Sequence, residues 1–136
     1  SILIDTNVLL AAAFSRDSKH EIAAQTLRAI ANEDCIISAA VVFELFYMTT
    51  ARVTYQHAVQ TFIRLRETFR IESITDEDMA RMQEIMTKYA DAELDYADVS
   101  IMAIAERLNI TRICTFDRRD FQIYQPTHCS HFELLP

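Results

Sequence analysis

The sequence contains no glycine and no tryptophan, and only two of its 136 residues are proline. Without glycine there is no Gly-rich loop to cradle a phosphate, which excludes dinucleotide-binding folds and P-loop NTPases at the level of motif. Turns that need positive φ must use Asn or Asp instead, and Asn32, Asp34 and Asn109 are the expected positions. The three cysteines, Cys35, Cys114 and Cys129, are odd in number and show no CxxC spacing. They indicate neither a disulfide framework nor a zinc site, and Cys35 and Cys114 read as inert core residues inside apolar runs. His128-Cys129-x-His131 offers too few spaced ligands for zinc. No apolar run approaches the roughly 20 residues that cross a bilayer, so membrane insertion is not expected. Ile2-Leu3-Ile4-Asp5 opens as a core strand rather than as the basic start of a signal peptide, and a cytoplasmic location is expected.

Basic charge is also scarce. Thirteen Lys and Arg face 20 Asp and Glu, for a net charge of −7. Taken alone, this argues against a nucleic-acid binder, because affinity for phosphate backbones comes from Lys and Arg.

What is present is a regular alternation of apolar strands and helices. Strands are predicted at Ile2–Asp5, Cys35–Ser38, Arg70–Ile74, Arg112–Thr115 and His131–Leu135. Helices are predicted at Asn7–Phe14, from a Ser18 cap through Ile30, at Ala39–Ala51, Thr54–Thr68, Thr75–Tyr89 and from an Asp95 cap to Leu108. Ile22, Ala23, Leu27 and Ile30 form one apolar stripe, and Ala58, Phe62 and Leu65 another. Thr75 with Asp78 three residues on has the form of a capping box. The pattern implies one α/β domain over residues 1–136, with a central parallel sheet between two helical layers.

In such sheets, sites form beyond the carboxyl ends of the strands. Asp5 ends the first strand, Asp117 lies two residues past the fourth, and Asp98 falls in the first turn of its helix, one turn after Asp95. All reach one sheet edge if the first and fourth strands are neighbours. Glu44 is the only charged residue between Cys35 and Met48. A helix this apolar reads as largely buried, and a lone carboxylate inside it needs a cation or a donor. Each acid also has an ordinary reading. Asp5 suits a helix N-cap, Asp98 the helix dipole, Asp117 a turn, and Glu44 an ion pair with Arg52 or Arg112. Taken together, converging carboxylates without His or Cys suit Mg²⁺ or Mn²⁺, which accept phosphate oxygens and activate water. Bound cations also answer the charge objection, because they reverse the field of the acids locally. Arg118 and Arg119, and Arg16 and Lys19, are candidate phosphate contacts.

Several segments carry a family resemblance. Ile2-Leu3-Ile4-Asp5-Thr6-Asn7 and Ser38-Ala39 leading to Glu44 resemble the first half of a PIN domain. Asp95-Tyr96-Ala97-Asp98, Thr115-Phe116-Asp117-Arg118-Arg119-Asp120-Phe121 and Phe132-Glu133-Leu134-Leu135-Pro136 resemble the second. Order, spacing and length look most like the VapC-type toxins of bacterial and archaeal toxin–antitoxin pairs. The resemblance implies a PIN-like α/β/α fold and a Mg²⁺- or Mn²⁺-dependent endoribonuclease that leaves 5′-phosphate and 3′-hydroxyl ends. It maps Asp5, Glu44, Asp98 and Asp117 onto the acidic quartet, with Thr6 and Asn7 steadying the first carboxylate. Asp95 and Asp120 take accessory acidic positions, and Thr115 the hydroxyl before the last acid. Asn109 stands where the family commonly has a helix-capping Gly, a position Asn also tolerates. The resemblance further implies an RNA substrate, an antitoxin partner and a homodimer. Phe43, Phe46, Tyr47 and Met48 exceed what one helix face buries, and with the Tyr55–Phe69 helix they offer a surface for either protein partner.

Other readings are weaker. A HAD-type phosphatase wants a second Asp two residues after the first, and that position is Asn7; a receiver domain wants a Lys after its late strands. A non-catalytic PIN-type scaffold that binds RNA or protein remains the alternative, against which the intact quartet argues. The sequence offers Asp98 and Asp117 alike as the base that deprotonates the attacking water.

Overall fold

The computed structural model describes residues 1–136 throughout. Five parallel strands stand in the order β3-β2-β1-β4-β5. They are β1 (Ile2–Ile4), β2 (Cys35–Ser38), β3 (Arg70–Glu72), β4 (Arg112–Cys114) and β5 (Glu133–Leu135). The helices are α1 (Thr6–Ala13), α2 (His20–Ala29), α3 (Ala39–Arg52), α4 (Tyr55–Thr68), α5 (Asp76–Lys88), α6 (Tyr96–Leu108) and α7 (Arg118–Ile123). Strand order runs outward from β1 to β3, then returns to β4 and β5. Right-handed crossovers therefore send α1–α4 to one face and α5–α7 to the other. The order reverses between β1 and β4, which are hydrogen-bonded neighbours with Leu3 opposite Ile113. The condition for the acids to share one sheet edge, that these strands be neighbours, is met, and the crevice at their carboxyl ends is the topological switch point.

The central strands are apolar because both their faces are covered. Ile2, Leu3, Ile4, Ile36, Ile37 and Ile113 are fully buried, each contributing about 1.5–3 kcal/mol. Helix α6 is buried from Ala97 to Ala105 without interruption, and its Ala97, Ala103 and Ala105 let it lie close to its neighbours. It starts where the Asp95 carboxylate accepts the Ala97 N–H at 2.8 Å. The capping box is present, with Thr75 Oγ1 and Asp78 Oδ2 each accepting the other's backbone N–H at 3.0 Å.

Several expectations are corrected. Helix α2 begins at His20, and its cap is Lys19 without a side-chain bond, not Ser18. Ile22 and Phe62 are exposed rather than packed on their apolar stripes. β3 and β5 are shorter than predicted, and α7 is a helix where the sequence pattern predicts none. Positive φ occurs at Glu93 and Asn109 only, so Asn32 and Asp34 need no left-handed backbone. Asn109 caps α6 at φ 55 as its type allows. Glu93, at φ 51, has no such excuse. Replacing Glu93 with Gly removes the Cβ clash, which costs about 1 kcal/mol, and raises Tm by a few degrees in calorimetry. An unchanged or lower Tm rejects this account.

Candidate active site

Asp5 follows β1 directly and is 3% exposed. Its Oδ1 caps α1 by accepting the Thr6 N–H at 2.7 Å, as the ordinary reading of this residue required. That leaves the other oxygen, Oδ2, which accepts the Thr115 hydroxyl at 2.8 Å. Thr115, buried past the end of β4, also accepts the Asp117 N–H on the same hydroxyl oxygen at 2.9 Å. One side chain thus ties the two switch-point strands together and fixes the turn bearing Asp117. Asn7 serves that turn too: its Oδ1 accepts the Phe116 N–H at 3.1 Å. Its Nδ2 reaches Thr115 Oγ1 at 3.5 Å, so its link to Asp5 runs through the Thr115 hydroxyl. Thr6 holds Asp5 through its backbone, while its own Oγ1 is buried without a partner.

Asp98 projects from the first turn of α6, 6% exposed, with its carboxyl near enough to that of Asp5 for the two to shift each other's ionisation. Carboxylate oxygens of Asp98, Asp117 and Asp120 lie within 4.8 Å of one another. Asp117 caps α7 by accepting the Asp120 N–H at 3.3 Å. That turn carries Asp120 back towards Asp117, three residues earlier. Asp120, expected as accessory, is one of the three closest acids.

Burial raises the Asp5 and Asp98 carboxyls above the usual range, and for Asp98 the charges of Asp5, Asp95 and Asp117 raise it further. Burial and then the charge of Asp117 raise Asp120. Such a set resists ionisation together unless a cation compensates. The donors are all oxygens on rigid element ends, so the residues fit a hard divalent ion such as Mg²⁺ or Mn²⁺.

Glu44 is placed differently from expectation. Helix α3 has one buried side, but Phe43 and Tyr47 are 72% and 66% exposed and Glu44 is half-buried. Its uncharged run therefore does not mean burial, and Glu44 needs no cation on that ground. It pairs with no Arg; Arg112 is held by Glu33 and Glu133. Glu44 lies outside the tight cluster yet near enough for its charge to raise Asp5. It lines a cavity of about 540 Å³ together with Asp95.

The basic candidates also separate. Arg118 donates to the Pro136 carbonyl at 3.2 Å and Arg119 pairs with Asp120 at 2.9 Å. Lys19 instead borders a cavity of about 280 Å³ with Asn7, Asp17, Phe116 and Asp117, its ammonium 4.7 Å from the Phe116 ring centroid. The His128 ring meets the Ile110 carbonyl at 2.6 Å, and no His or Cys joins the acids.

The family model for the PIN domain matches residues 2–125. The chain belongs to the PIN domain family. It is 26% identical over 136 residues to Ribonuclease VapC26 of Mycobacterium tuberculosis, covering 99% of this chain and 100% of that one. The PIN fold is equally plain in solved structures. VapC20 of the same organism, described as a sarcin-ricin loop cleaving toxin, superposes with a TM-score of 0.78 at 23% identity, over 88% of this chain and 92% of that one. A toxin–antitoxin complex from Klebsiella pneumoniae gives 0.66 at 26% identity, over 89% and 90%. No helix is long and apolar enough to cross a membrane.

Proposed function

We propose that this PIN-domain chain is a Mg²⁺- or Mn²⁺-dependent endoribonuclease and the toxin of a toxin–antitoxin pair. The observation that carries this reading is the carboxylate set at the β1/β4 switch point, with Asp98, Asp117 and Asp120 grouped within 4.8 Å and the buried Asp5 at the end of β1 beside them. Asp5, Asp98 and Asp117 would hold the cation, with Asp120 beside them and Glu44 on the adjoining wall. When bound, the ion supplies Lewis-acid charge stabilisation and an activated water.

The chain's own residues do the rest. Thr115 fixes Asp5 and the Asp117 turn in one geometry, so the acids need no reorganisation as charge develops. Lys19, beside Asp117 and free of ion pairs, meets a substrate phosphate. The oxygen of water bonds to phosphorus as the bond to the 3′-oxygen breaks. The water's proton passes to a carboxylate oxygen of Asp98 or Asp117, and the 3′-oxygen takes a proton from solvent. The products carry 5′-phosphate and 3′-hydroxyl ends.

The VapC26 name and the Klebsiella complex support the toxin role and an antitoxin partner. A groove of about 310 Å³ between α1, α3 and α4, lined by Leu9, Phe14, Leu45, Val53 and Leu65, suits an apolar segment of such a partner. A homodimer is expected as well, and sedimentation measures it. The test of the enzymatic reading is direct. Purified protein should cut RNA with Mg²⁺ or Mn²⁺, stop in EDTA, and yield fragments that ligate through 5′-phosphates. Cleavage that persists in EDTA rejects the metal, and none under any condition rejects the nuclease.

A further inference from the structure

Three of the chain's five methionines stand on α5, as Met79, Met82 and Met86. Residues three and four apart share one side of a helix, so this spacing puts all three on a single stripe. The stripe borders a surface cavity of about 330 Å³, whose remaining wall is Gln83, Thr87 and, from the first turn of α6, Tyr96. Packing accounts for part of the stripe, because Met82 is buried and Met86 half-buried against the core. It does not account for Met79, which is 49% exposed and whose Sδ accepts the Tyr96 hydroxyl at 3.7 Å. No Asp, Glu, His, Cys, Lys or Arg lines this cavity. Its donors are thioethers and neutral oxygens only.

We propose that Met79, Met82 and Met86 form a thioether site for a soft monovalent cation, Cu(I). The donor set decides the class. Mg²⁺ and Mn²⁺ want oxygen ligands, and Zn²⁺ wants imidazole, thiolate or carboxylate, whereas the sulfurs of Cys and Met select Cu(I). The net charge of −7 favours cations of every kind near the surface, so what this cavity adds is selection among them. Methionine also suits closure around an ion. Its unbranched side chain turns about three bonds and its sulfur is polarizable, so the donors converge without movement of the backbone. Helical side chains lean towards the preceding turn, which carries Met86 towards Met82 and Met82 towards Met79. As the cation enters, Met79 Sδ exchanges the Tyr96 hydroxyl for the metal and that hydroxyl returns to water. Copper arrives and leaves as Cu(I), so no electron is transferred. The inference goes beyond the nuclease reading and does not rest on it, since the acid cluster contains none of these residues.

The test follows the sulfurs directly. The full chain, labelled with ¹³C at the methionine methyls, is titrated without oxygen or chloride with Ag⁺, a redox-inert stand-in for Cu(I). The methyl signals of Met79, Met82 and Met86 should shift together and stop shifting at one equivalent, while those of Met48 and the buried Met102 stay in place. Cu(I) affinity is then measured by competition with the chelator bicinchoninate. Cys129→Ser is measured alongside, because Cys129 is the one cysteine that is not buried, and it should bind Cu(I) as the wild type does. Met79→Leu with Met86→Leu keeps the apolar bulk and removes two donors. It should weaken Cu(I) binding by more than about 100-fold, since changing even an outer partner of a metal ligand costs 10–100-fold. Met79→Leu alone, at an exposed position, should lose part of the affinity with Tm unchanged. Methyl signals that shift independently without saturating overturn the proposal. So does undiminished affinity in the double Leu variant, or affinity that disappears in Cys129→Ser.

Discussion

Replacing Asp98 with Asn abolishes RNA cleavage while making the metal-free protein more stable. The loss of activity should exceed about 100-fold, because changing even an outer partner of a metal ligand costs 10–100-fold, and Asp98 supplies one of the three clustered oxygens. The gain in stability follows from where the carboxyl sits. Burial first, and then the charges of Asp5 and Asp95, raise it far above the usual 3.8. A carboxyl raised by folding binds more protons in the native state than in the unfolded one. Its favourable contribution is complete below the ordinary value and is lost as pH rises through the folded value, here about 9. In EDTA at pH 8 the wild type therefore carries a penalty that Asn, uncharged and nearly isosteric, does not.

Adding Mn²⁺ should reverse the ranking. A ligand at 100 times its Kd stabilises the native state by about 2.7 kcal/mol, which is on the order of 10 °C in a domain of this size. The wild type should show that rise and Asp98→Asn little of it. Thermal melts of both proteins at pH 5 and pH 8, with EDTA or Mn²⁺, read all four terms. A wild type indifferent to Mn²⁺, or a variant that still cuts RNA, removes the metal centre.

The site was legible in the sequence where a short-range rule placed a residue on a strand or helix end. Asp5, Asp98 and Asp117 converge because β1 and β4 are neighbours, a condition that the alternation of elements leaves open and the strand order meets. Thr115 was legible as a position, but the two hydrogen bonds of its hydroxyl, donated to Asp5 and accepted from the Asp117 N–H, were not. Asp120 is accessory by the resemblance alone, and no periodicity could correct that, because α7 is only six residues long and buries only Phe121. The available signal was the spacing of Asp117 and Asp120, which is that of a helix cap and its first turn. Glu44 shows a limit of a different kind. A run without charges reads as buried, yet the aromatic side chains Phe43 and Tyr47 within it stand on an exposed face. Only the fold distinguishes the inner face of α3, with Val41 and Leu45, from the outer face with Phe43 and Tyr47.

Glu106→Ala should cost more stability than any surface change, although the residue touches no part of the acid site. Glu106 sits on α6 with its side chain 9% exposed. It accepts Arg81 Nε at 2.6 Å and Nη2 at 3.2 Å, the Tyr124 hydroxyl, and both the N–H and Oγ1 of Thr127 at 2.8 Å. Burial raises this carboxyl, but the bonds from Arg81, Tyr124 and Thr127 outweigh burial and hold it at about 2. It thereby joins α5, α6 and the chain after α7, residues more than a turn apart in no local pattern. Truncation leaves Arg81 with Glu84 alone as an ion-pair partner and leaves the Tyr124 hydroxyl with no acceptor for its proton, only the Arg81 Nη2 donor at 3.2 Å. Breaking a part-buried pair and its shared hydrogen bonds in this way costs about 2–3 kcal/mol, so Tm should fall by on the order of 10 °C. The sign of the pH effect is opposite to that of Asp98. A lowered carboxyl stabilises above its ordinary value of 4.5, and that contribution is lost as pH falls towards 2. The wild type should lose stability over that interval more steeply than Glu106→Ala, so the two melting curves approach each other in acid. Cleavage per folded molecule at low temperature should be unchanged, because the Asp5, Asp98 and Asp117 geometry does not depend on this network. A Tm drop of only a degree or two, or a constant difference down to pH 2, would show that the carboxylate is not the clasp its five bonds imply.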